Sequence, residues 1–232
     1  MSSLATTPAP SASASGSAAL PAASKALFWD RIAPKYATDP IADMAGYETT
    51  LRRVQGLLST QHDVLEVGCG TGSTALRLAP FTRSLLATDV SPEMIAIAHQ
   101  RLAAQPSPQL GFAVADAEAT TFGPQAYDVV LAFNLLHLTS DLDEALKPLV
   151  QALRPGGLLI SKTPCIAEMN PLIPYVAVPL MRAMGKAPGV LCFDELRLQS
   201  AMVRQGLQIV GAERHGSRRK DIRTFIVARK PG

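Results

Sequence analysis

The sequence predicts an α/β fold in which a mostly parallel, seven-stranded sheet carries helices on both faces and ends in an antiparallel strand. Three observations predict it. Apolar strand patterns alternate with helical patterns through the middle of the chain, which is typical of βαβ units. A glycine-rich turn at 68–72 joins a buried strand directly to a helix. The strands predicted at 207–212 and 223–229 have only a short turn between them, so we expect them to be antiparallel.

The composition narrows the class of protein. The chain has 232 residues, 47% of them hydrophobic, which is enough for one sizeable core. Its formal charge of +3 is too small to indicate a nucleic acid or an acidic surface as partner. Cys69, Cys165 and Cys192 lack the spacing of zinc or redox sites, so we expect a reducing, cytoplasmic setting and no metal. No apolar run reaches the ~18 residues of a membrane span.

The N-terminal part differs from the rest. Residues 1–24 are nearly all Ala, Ser, Thr, Pro and Gly and carry no charge, so we expect a disordered tail. They lack the basic start and continuous apolar core of a secretory signal. Residues 25–232 form a single domain in this interpretation. It opens with a helical segment at 25–60, where one short helix stops at Pro34 and a second covers 41–58.

The central part of the chain then alternates between strands and helices. Its strands are predicted at 63–67, 84–88, 110–115, 127–133 and 158–162. The first helix begins at Ser73, and the next has Ser91 as its N-cap and Pro92 at its first position. A further helix at 142–153 is closed by the turn at 154–157.

Polar residues stand at the carboxyl ends of three of these strands. Asp89, Asp116 and Asn134 follow the second, third and fourth strands. This edge of an open α/β sheet is where ligands bind. Asp89 also lies about 20 residues after the glycine turn, the separation at which a carboxylate binds the hydroxyls of a ribose. The alternatives are a helix cap for Asp89 and a plain turn for Asp116.

Residues 164–193 are too long for an ordinary connection and are rich in Pro, Met and aliphatic residues. We expect them to form a cap over the ligand site. The alternative is an apolar brace of the main core.

Several motifs follow one another in a specific order. They are 64–72, 89–94, 115–118, 127–134 with His137, 153–157, and an N-terminal pattern of Trp29, Asp30, Ala33 and Tyr36. Together they resemble the class I S-adenosylmethionine-dependent methyltransferases, in particular the small-molecule branch of ubiquinone/menaquinone type (methyltransferase type 11). The resemblance spans roughly residues 27–230, and the ordered set is far more specific than a glycine turn alone. It implies a Rossmann-like fold, S-adenosyl-L-methionine as cofactor, and a small, hydrophobic organic methyl acceptor.

The resemblance implies that the methionine part of the cofactor lies along the glycine turn. The backbone of Gly68, Gly70 and Gly72 would line it, while Glu66 would fix the turn and hydrogen-bond to the amino group. The carbonyl of Asn134 would accept a hydrogen bond from the same ammonium.

The nucleoside part would lie against the neighbouring strand ends. By the same resemblance, Asp89 would hold the ribose hydroxyls, and Val90 and Met94 would contact the adenine. Asp116 would accept from the adenine amine, and the N–H of Ala117 would reach a ring nitrogen.

Two further residues complete the implied site. Tyr36 would reach the carboxylate end of the cofactor. His137 follows the fourth strand, near the point where the methyl group would emerge, and it is the candidate general base because its ordinary pKa lies close to operating pH. The alternative is a histidine that only packs or hydrogen-bonds.

Aromatic and apolar residues suggest an acceptor pocket. Trp29, Tyr47, Met169 and Tyr175 are the candidates to line it, whereas Phe28 suits ordinary core packing. The sequence leaves open which acceptor is used, whether oxygen, nitrogen or carbon is methylated, and the oligomeric state.

Three other functions remain as alternatives. The basic turn at 214–223 would suit an RNA substrate, but it has no interleaved aromatic residues for stacking and equally suits a solvated turn. An NAD(P)-dependent oxidoreductase would need Gly-x-Gly-x-x-Gly, and here the third glycine, Gly72, comes one residue early. A protein that keeps the pocket only as a sensor is the third.

Overall fold

The structure is a computed structural model, and it describes residues 22–169, 172, 180, 189–217 and 221–232. The helices of this part are α1 (Ala22–Thr38), α2 (Met44–Gln55), α3 (Ser73–Leu78), α4 (Pro92–Ala104), α5 (Leu142–Ala152) and α6 (Glu195–Arg204). The strands are β1 (Asp63–Val67), β2 (Ser84–Asp89), β3 (Leu110–Val114), β4 (Tyr127–Phe133), β5 (Leu153–Pro164), β6 (Gln208–Arg214) and β7 (Arg223–Arg229). Short 3₁₀ turns occur at Ala79–Phe81, Leu136–Leu138 and Ile166–Glu168.

The strands form one sheet in the order β3-β2-β1-β4-β5-β7-β6. All neighbouring pairs from β3 to β5 are parallel, and β7 is antiparallel to both β5 and β6. The predicted mostly parallel, seven-stranded sheet with an antiparallel C-terminal strand is confirmed. The strand order reverses between β1 and β4, so the crevice beyond their carboxyl ends is the place where such sheets bind ligands.

Each face of the sheet carries its own core, because successive side chains of a strand point to opposite faces. On β1, Leu65 and Val67 pack with the buried residues of α5 and α6. Val64 faces the other way and packs with the buried residues of α2, α3 and α4. Both cores end at the carboxyl edge of β1, which leaves the glycine turn at the surface of a crevice.

The N-terminal helix is longer than the sequence predicts. The expectation that it stops at Pro34 is wrong, since α1 continues to Thr38 with Pro34 inside it. Proline lacks the N–H that would bond to the Asp30 carbonyl, which normally interrupts a helix. Here Pro34 is exposed while the adjacent Ala33 is fully buried, and α1 packs along α4. Tertiary packing therefore outweighs the missing hydrogen bond.

The fifth strand also starts earlier than predicted, at Leu153 rather than at residue 158. The turn predicted to close the preceding helix belongs to the sheet. The Gly156 N–H donates to the Lys230 carbonyl and the Lys230 N–H donates to the Gly157 carbonyl, both at 2.9 Å. These bonds extend the sheet beyond β7, so α5 ends at Ala152.

Some expectations fall outside the part of the chain that the structure describes. They are residues 1–21 of the tail, most of the cap with Tyr175, and Arg218, Arg219 and Lys220 of the basic turn. Within the described residues, no helix combines the length and the apolar character needed to cross a membrane.

Candidate active site

A cavity of about 800 Å³ opens at the carboxyl edge of β1, β2 and β4. Its size is in the range of small-molecule sites. The turn after β1, the ends of β2 and β4, the segment after β3, and α1 all contribute to its wall. Strand ends, a glycine turn and a helix therefore meet around one cavity.

The glycine turn forms the floor of this cavity. Gly68 and Gly70 have φ angles of +68° and +55°, which side chains with a Cβ rarely adopt. A Cβ on Gly68 would lie 2.9 Å from Cδ1 of Leu135, so the turn has no space for a larger residue there. The Gly70 N–H donates to Oδ2 of Asp89 at 2.9 Å. The turn after β1 is thus tied to the end of β2.

Asp89 joins two backbone segments at the cavity wall, the glycine turn and the segment that leads into α4. Besides Gly70, it accepts a hydrogen bond from the Ser91 N–H through Oδ1 at 3.0 Å. Burial raises its pKa, and these backbone bonds partly offset the effect. Ser91, and not Asp89, caps α4, since its hydroxyl accepts from the Met94 N–H. Ser91 therefore fills the capping role that was the alternative for Asp89. The carboxylate of Asp89 faces the cavity.

Glu66 is the most deeply buried carboxyl of the site. It is only 2% exposed, yet it lines the cavity. Its Oε2 has no hydrogen-bond partner among the described residues. Burial, and then the nearby charge of Asp89, raises its pKa to about 8. A buried carboxyl oxygen without a donor is costly, so this position suits a ligand that brings a hydrogen-bond donor, such as an ammonium group.

The segment after β3 adds a charged cluster. Asp116 Oδ1 accepts from the Glu118 N–H at 3.0 Å, and Lys25 of α1 forms ion pairs with both carboxylates. Glu118 also accepts from the Ser140 N–H at 2.8 Å. Sequence reasoning missed Lys25 and Ser140 because neither belongs to a motif, and only the fold brings them to Glu118.

The helix α1 closes one side of the cavity with Trp29 and Tyr36. A Cβ on Gly70 would lie 3.5 Å from Cε1 of Tyr36, so the tyrosine ring lies against the glycine turn. Burial is the main cause that raises the pKa of Tyr36, and the charge of Asp89 adds to it. Phe28 also lines the cavity and packs edge-to-face on Trp29 with ring centroids 5.2 Å apart.

His137 lies in the 3₁₀ turn after β4 and lines the cavity. Its Nδ1 is buried and has no hydrogen-bond partner within the described residues. Burial lowers its pKa to about 4, which corrects the expectation of a pKa near operating pH. Its carbonyl accepts from the Leu191 N–H at 2.7 Å, so the C-terminal end of the predicted cap is bound beside it.

Most residues predicted from sequence meet in this cavity. Those that line it are Trp29, Tyr36, Glu66, Gly68, Gly70, Asp89, Val90, Met94, Asp116, Ala117, Asn134 and His137. Gly72, Tyr47 and Met169 are not among the described residues of its wall.

Gly72 and Tyr47 have other contacts. A Cβ on Gly72 would lie 2.6 Å from Cζ of Phe112, so close packing against β3 requires the glycine. The Tyr47 hydroxyl lies 3.3 Å from Oγ1 of Thr74, and Arg77 covers its ring. Both residues brace the first helix after the turn, which sequence spacing does not distinguish from contact with a ligand.

The described part of the basic turn is largely neutralised. Arg214 pairs with Glu168 and Glu195, and Arg223 pairs with Asp221. These arginines stabilise the hairpin instead of presenting free charge, which does not favour the RNA alternative.

A comparison with known families matches residues 64–157 to a family described as "Methyltransferase domain". Among curated proteins, the chain is 36% identical over 145 residues to the iterative polyketide synthase afoE of Emericella nidulans. The match covers 58% of this chain and 5% of that protein. The chain thus spans about a twentieth of the length of this relative.

Solved structures give the same fold. The [4+2]-cyclase SpnF superimposes with a TM-score of 0.71 at 20% identity, over 89% of this chain and 95% of its own. The CurJ carbon methyltransferase superimposes with a TM-score of 0.58 at 22% identity, over 75% of this chain and 50% of its own. Several further matches are S-adenosylmethionine-dependent methyltransferases.

Proposed function

Because this chain belongs to the class I S-adenosylmethionine-dependent methyltransferases, an enzyme family, we propose that it methylates a small polyketide-like acceptor at an acidic carbon by in-line displacement. The observation that carries the cofactor site is the unpartnered Oε2 of Glu66, which lies with Asp89 around one glycine turn. The acceptor class is supported by the polyketide synthase relative and by the carbon methyltransferase of the same fold.

The residues present fit S-adenosylmethionine. The buried carboxyl of Glu66 suits the ammonium group, and the carboxylate of Asp89 suits the ribose hydroxyls. The positive φ angles of Gly68 and Gly70 keep the floor free of side chains. When bound, this cofactor supplies a methyl group that is already activated by a sulfonium charge.

His137 is the proposed base. Its low pKa, about 4, keeps the imidazole neutral at physiological pH but also makes it a weaker base than an ordinary histidine, so it suits an acceptor whose own hydrogen is acidic. A carbon between two carbonyl groups loses its proton to this imidazole, and the electron pair left on the carbon forms the new carbon–carbon bond. With S-adenosylmethionine bound, the methyl group would be the partner of this new bond, and the electrons of the broken carbon–sulfur bond would remain on the sulfur of the S-adenosylhomocysteine product.

The rest of the wall suits an apolar acceptor. Phe28, Trp29, Leu135 and Leu138 give the cavity that His137 lines an apolar part of its wall, and Val190 adds to it from the cap side. Such a surface aligns the acceptor and excludes water, which supplies much of the rate gain when the methyl group is already activated.

The test is a transfer assay with methyl-labelled S-adenosylmethionine. Acetoacetyl-N-acetylcysteamine offers an acidic carbon, and its 2,2-dimethyl analogue is the matched control without an acidic hydrogen. We expect label on the first compound only. Label on neither, or equal label on a simple phenol, would contradict the proposed acceptor class.

The cofactor site is tested separately by calorimetry with S-adenosylhomocysteine. Asp89→Ala removes the bonds to the turn and the carboxylate proposed for the ribose, so we expect affinity to fall about 100-fold or more. Asp141→Ala is the control, because Asp141 only caps α5. Equal affinity in Asp89→Ala and the parent chain would sink the proposed binding mode.

A further inference from the structure

Arg101 connects two parts of the molecule that no shared sequence motif links, namely the glycine turn and the C-terminal end of α1. It lies on α4, and its Nη1 donates to the carbonyl of Thr71 at 3.1 Å, to Oγ1 of Thr71 at 2.7 Å and to Oγ of Ser73. Its Nη2 donates to the carbonyl of Ala37 at 2.8 Å. One guanidinium therefore holds the end of the glycine turn and the C-terminal end of α1.

The carbonyl of Ala37 needs such a partner. It belongs to the last turn of α1, where carbonyl groups have no partner within the helix and carry the negative end of the helix dipole. Ala37 directly follows Tyr36, whose ring lies against Gly70. Fixing the Ala37 carbonyl therefore fixes the position of a residue that lines the cavity.

A second anchor holds the other half of α1. Oδ1 of Asp30 accepts hydrogen bonds from the Ser91 hydroxyl at 2.5 Å and from the Glu93 N–H at 3.2 Å, at the beginning of α4. Without Arg101, α1 would still be held through Asp30. Loss of Arg101 should therefore release only the end of α1 that carries Tyr36.

We infer that Arg101 is a positioning residue for the cofactor site, acting through Tyr36 and the glycine turn without lining the cavity itself. This rests on the proposed function. The planar fork of an arginine reaches two elements at once, whereas the single ammonium of a lysine does not. The inference therefore requires an arginine, and not only a positive charge, at position 101.

The experiment compares S-adenosylhomocysteine affinity by calorimetry in the full chain and its variants. We expect Arg101→Met to weaken binding 10-fold or more, and Arg101→Lys to restore part of that loss. The matched control is Arg204→Met, because Arg204 pairs with Asp143 and neither residue lines the cavity, and it should bind like the parent chain. Equal affinity in Arg101→Met and the parent chain would overturn the inference.

A double-mutant cycle with Tyr36→Ala distinguishes positioning from general stability. If Arg101 acts through Tyr36, the double variant should bind no more than about threefold more weakly than the weaker single variant. Fully multiplicative losses would overturn the inference. Should Arg101→Met not fold, Thr71→Val with Ser73→Ala removes two of the four acceptors with Arg101 in place. Binding should then weaken, but less than in Arg101→Met, because the carbonyls of Thr71 and Ala37 still accept from Arg101. No binding by the parent chain would instead overturn the proposed function.

Discussion

Glu66 shows how a single residue of a binding site can lower the stability of the folded chain. Its carboxyl is nearly fully buried, and one oxygen lacks a hydrogen-bond partner among the described residues. Burial favours the neutral form, so the pKa rises to about 8. Between pH 4.5 and pH 8, the Glu66 carboxyl therefore keeps its proton in the folded chain. In the unfolded chain, where its pKa is the ordinary 4.5, it has lost that proton. Stability should fall as pH rises between these two values.

Glu66→Gln tests this linkage. The variant removes the titrating group, so its stability relative to the parent chain should increase from pH 5 to pH 8, by more than about 1 kcal/mol, since one pKa unit corresponds to 1.36 kcal/mol. Urea unfolding at both pH values measures it. Glu93→Gln, an exposed change on α4, should show no such trend. A difference between Glu66→Gln and the parent that stays constant with pH would contradict the assignment.

His137 is another residue of the site whose pKa is displaced. Because its pKa is lowered to about 4, the transfer rate should stay level from pH 8 to pH 5.5 and not fall near pH 6.5. Replacing the base by His137→Gln should reduce kcat about 100-fold. His99→Gln is the matched control, because His99 is exposed and packs on Phe112. A rate in His137→Gln close to that of the parent chain would leave His137 with a packing role.

At the scale of elements, α1 differs from the sequence prediction because Pro34 lies inside the helix. The effect of this proline on stability can be measured. Pro34→Ala supplies the missing N–H to the Asp30 carbonyl on an exposed face, so we expect stability to rise by about 1 kcal/mol or more. Pro92→Ala is the control, since a proline at the first position of α4 removes no helical bond. Chemical denaturation of both variants measures the difference, and an equal response would contradict this account.

Sequence patterns predicted the strands well where apolar residues are continuous and both faces are buried. Tyr127–Phe133 and Arg223–Arg229 were predicted with the bounds observed. Sequence patterns failed where contacts between distant parts of the chain determine the structure. At Pro34, packing of α1 on α4 outweighs the effect of the proline. At Gly156, the hydrogen-bond partner is Lys230, which is distant in sequence. Local spacing contains no record of either contact.

The same division applies to the site. Asp89 was predicted because strand ends converge by topology, and Glu66 was predicted because the motif at 64–72 resembles that of the methyltransferase family. Lys25 and Arg101 were not, because they act from helices whose docking is decided by tertiary packing. Tyr47 was assigned to the acceptor pocket on its aromatic character, yet its hydroxyl faces Thr74.

At the scale of the whole molecule, the cavity lies where both cores end, so a ligand there should stabilise the fold as one unit. With S-adenosylhomocysteine at 100 times its Kd, we expect about 2.7 kcal/mol of added stability and a rise in Tm of about 5 to 10 °C. Differential scanning calorimetry measures this shift. NADH at the same concentration serves as the control and should leave Tm unchanged. A shift with NADH instead would revive the oxidoreductase alternative.

The position of β7 has a consequence for how the chain is made. β5 and β6 do not pair directly, because β7 lies between them in the sheet although it follows both of them in the chain. Until residues 223–229 have been synthesised, β6 lacks the strand with which it pairs in the described sheet, and fully buried Phe225 is missing from the core. A nascent chain can therefore assemble the half that holds the glycine turn early, while completion of the sheet waits for synthesis of residues 223–229.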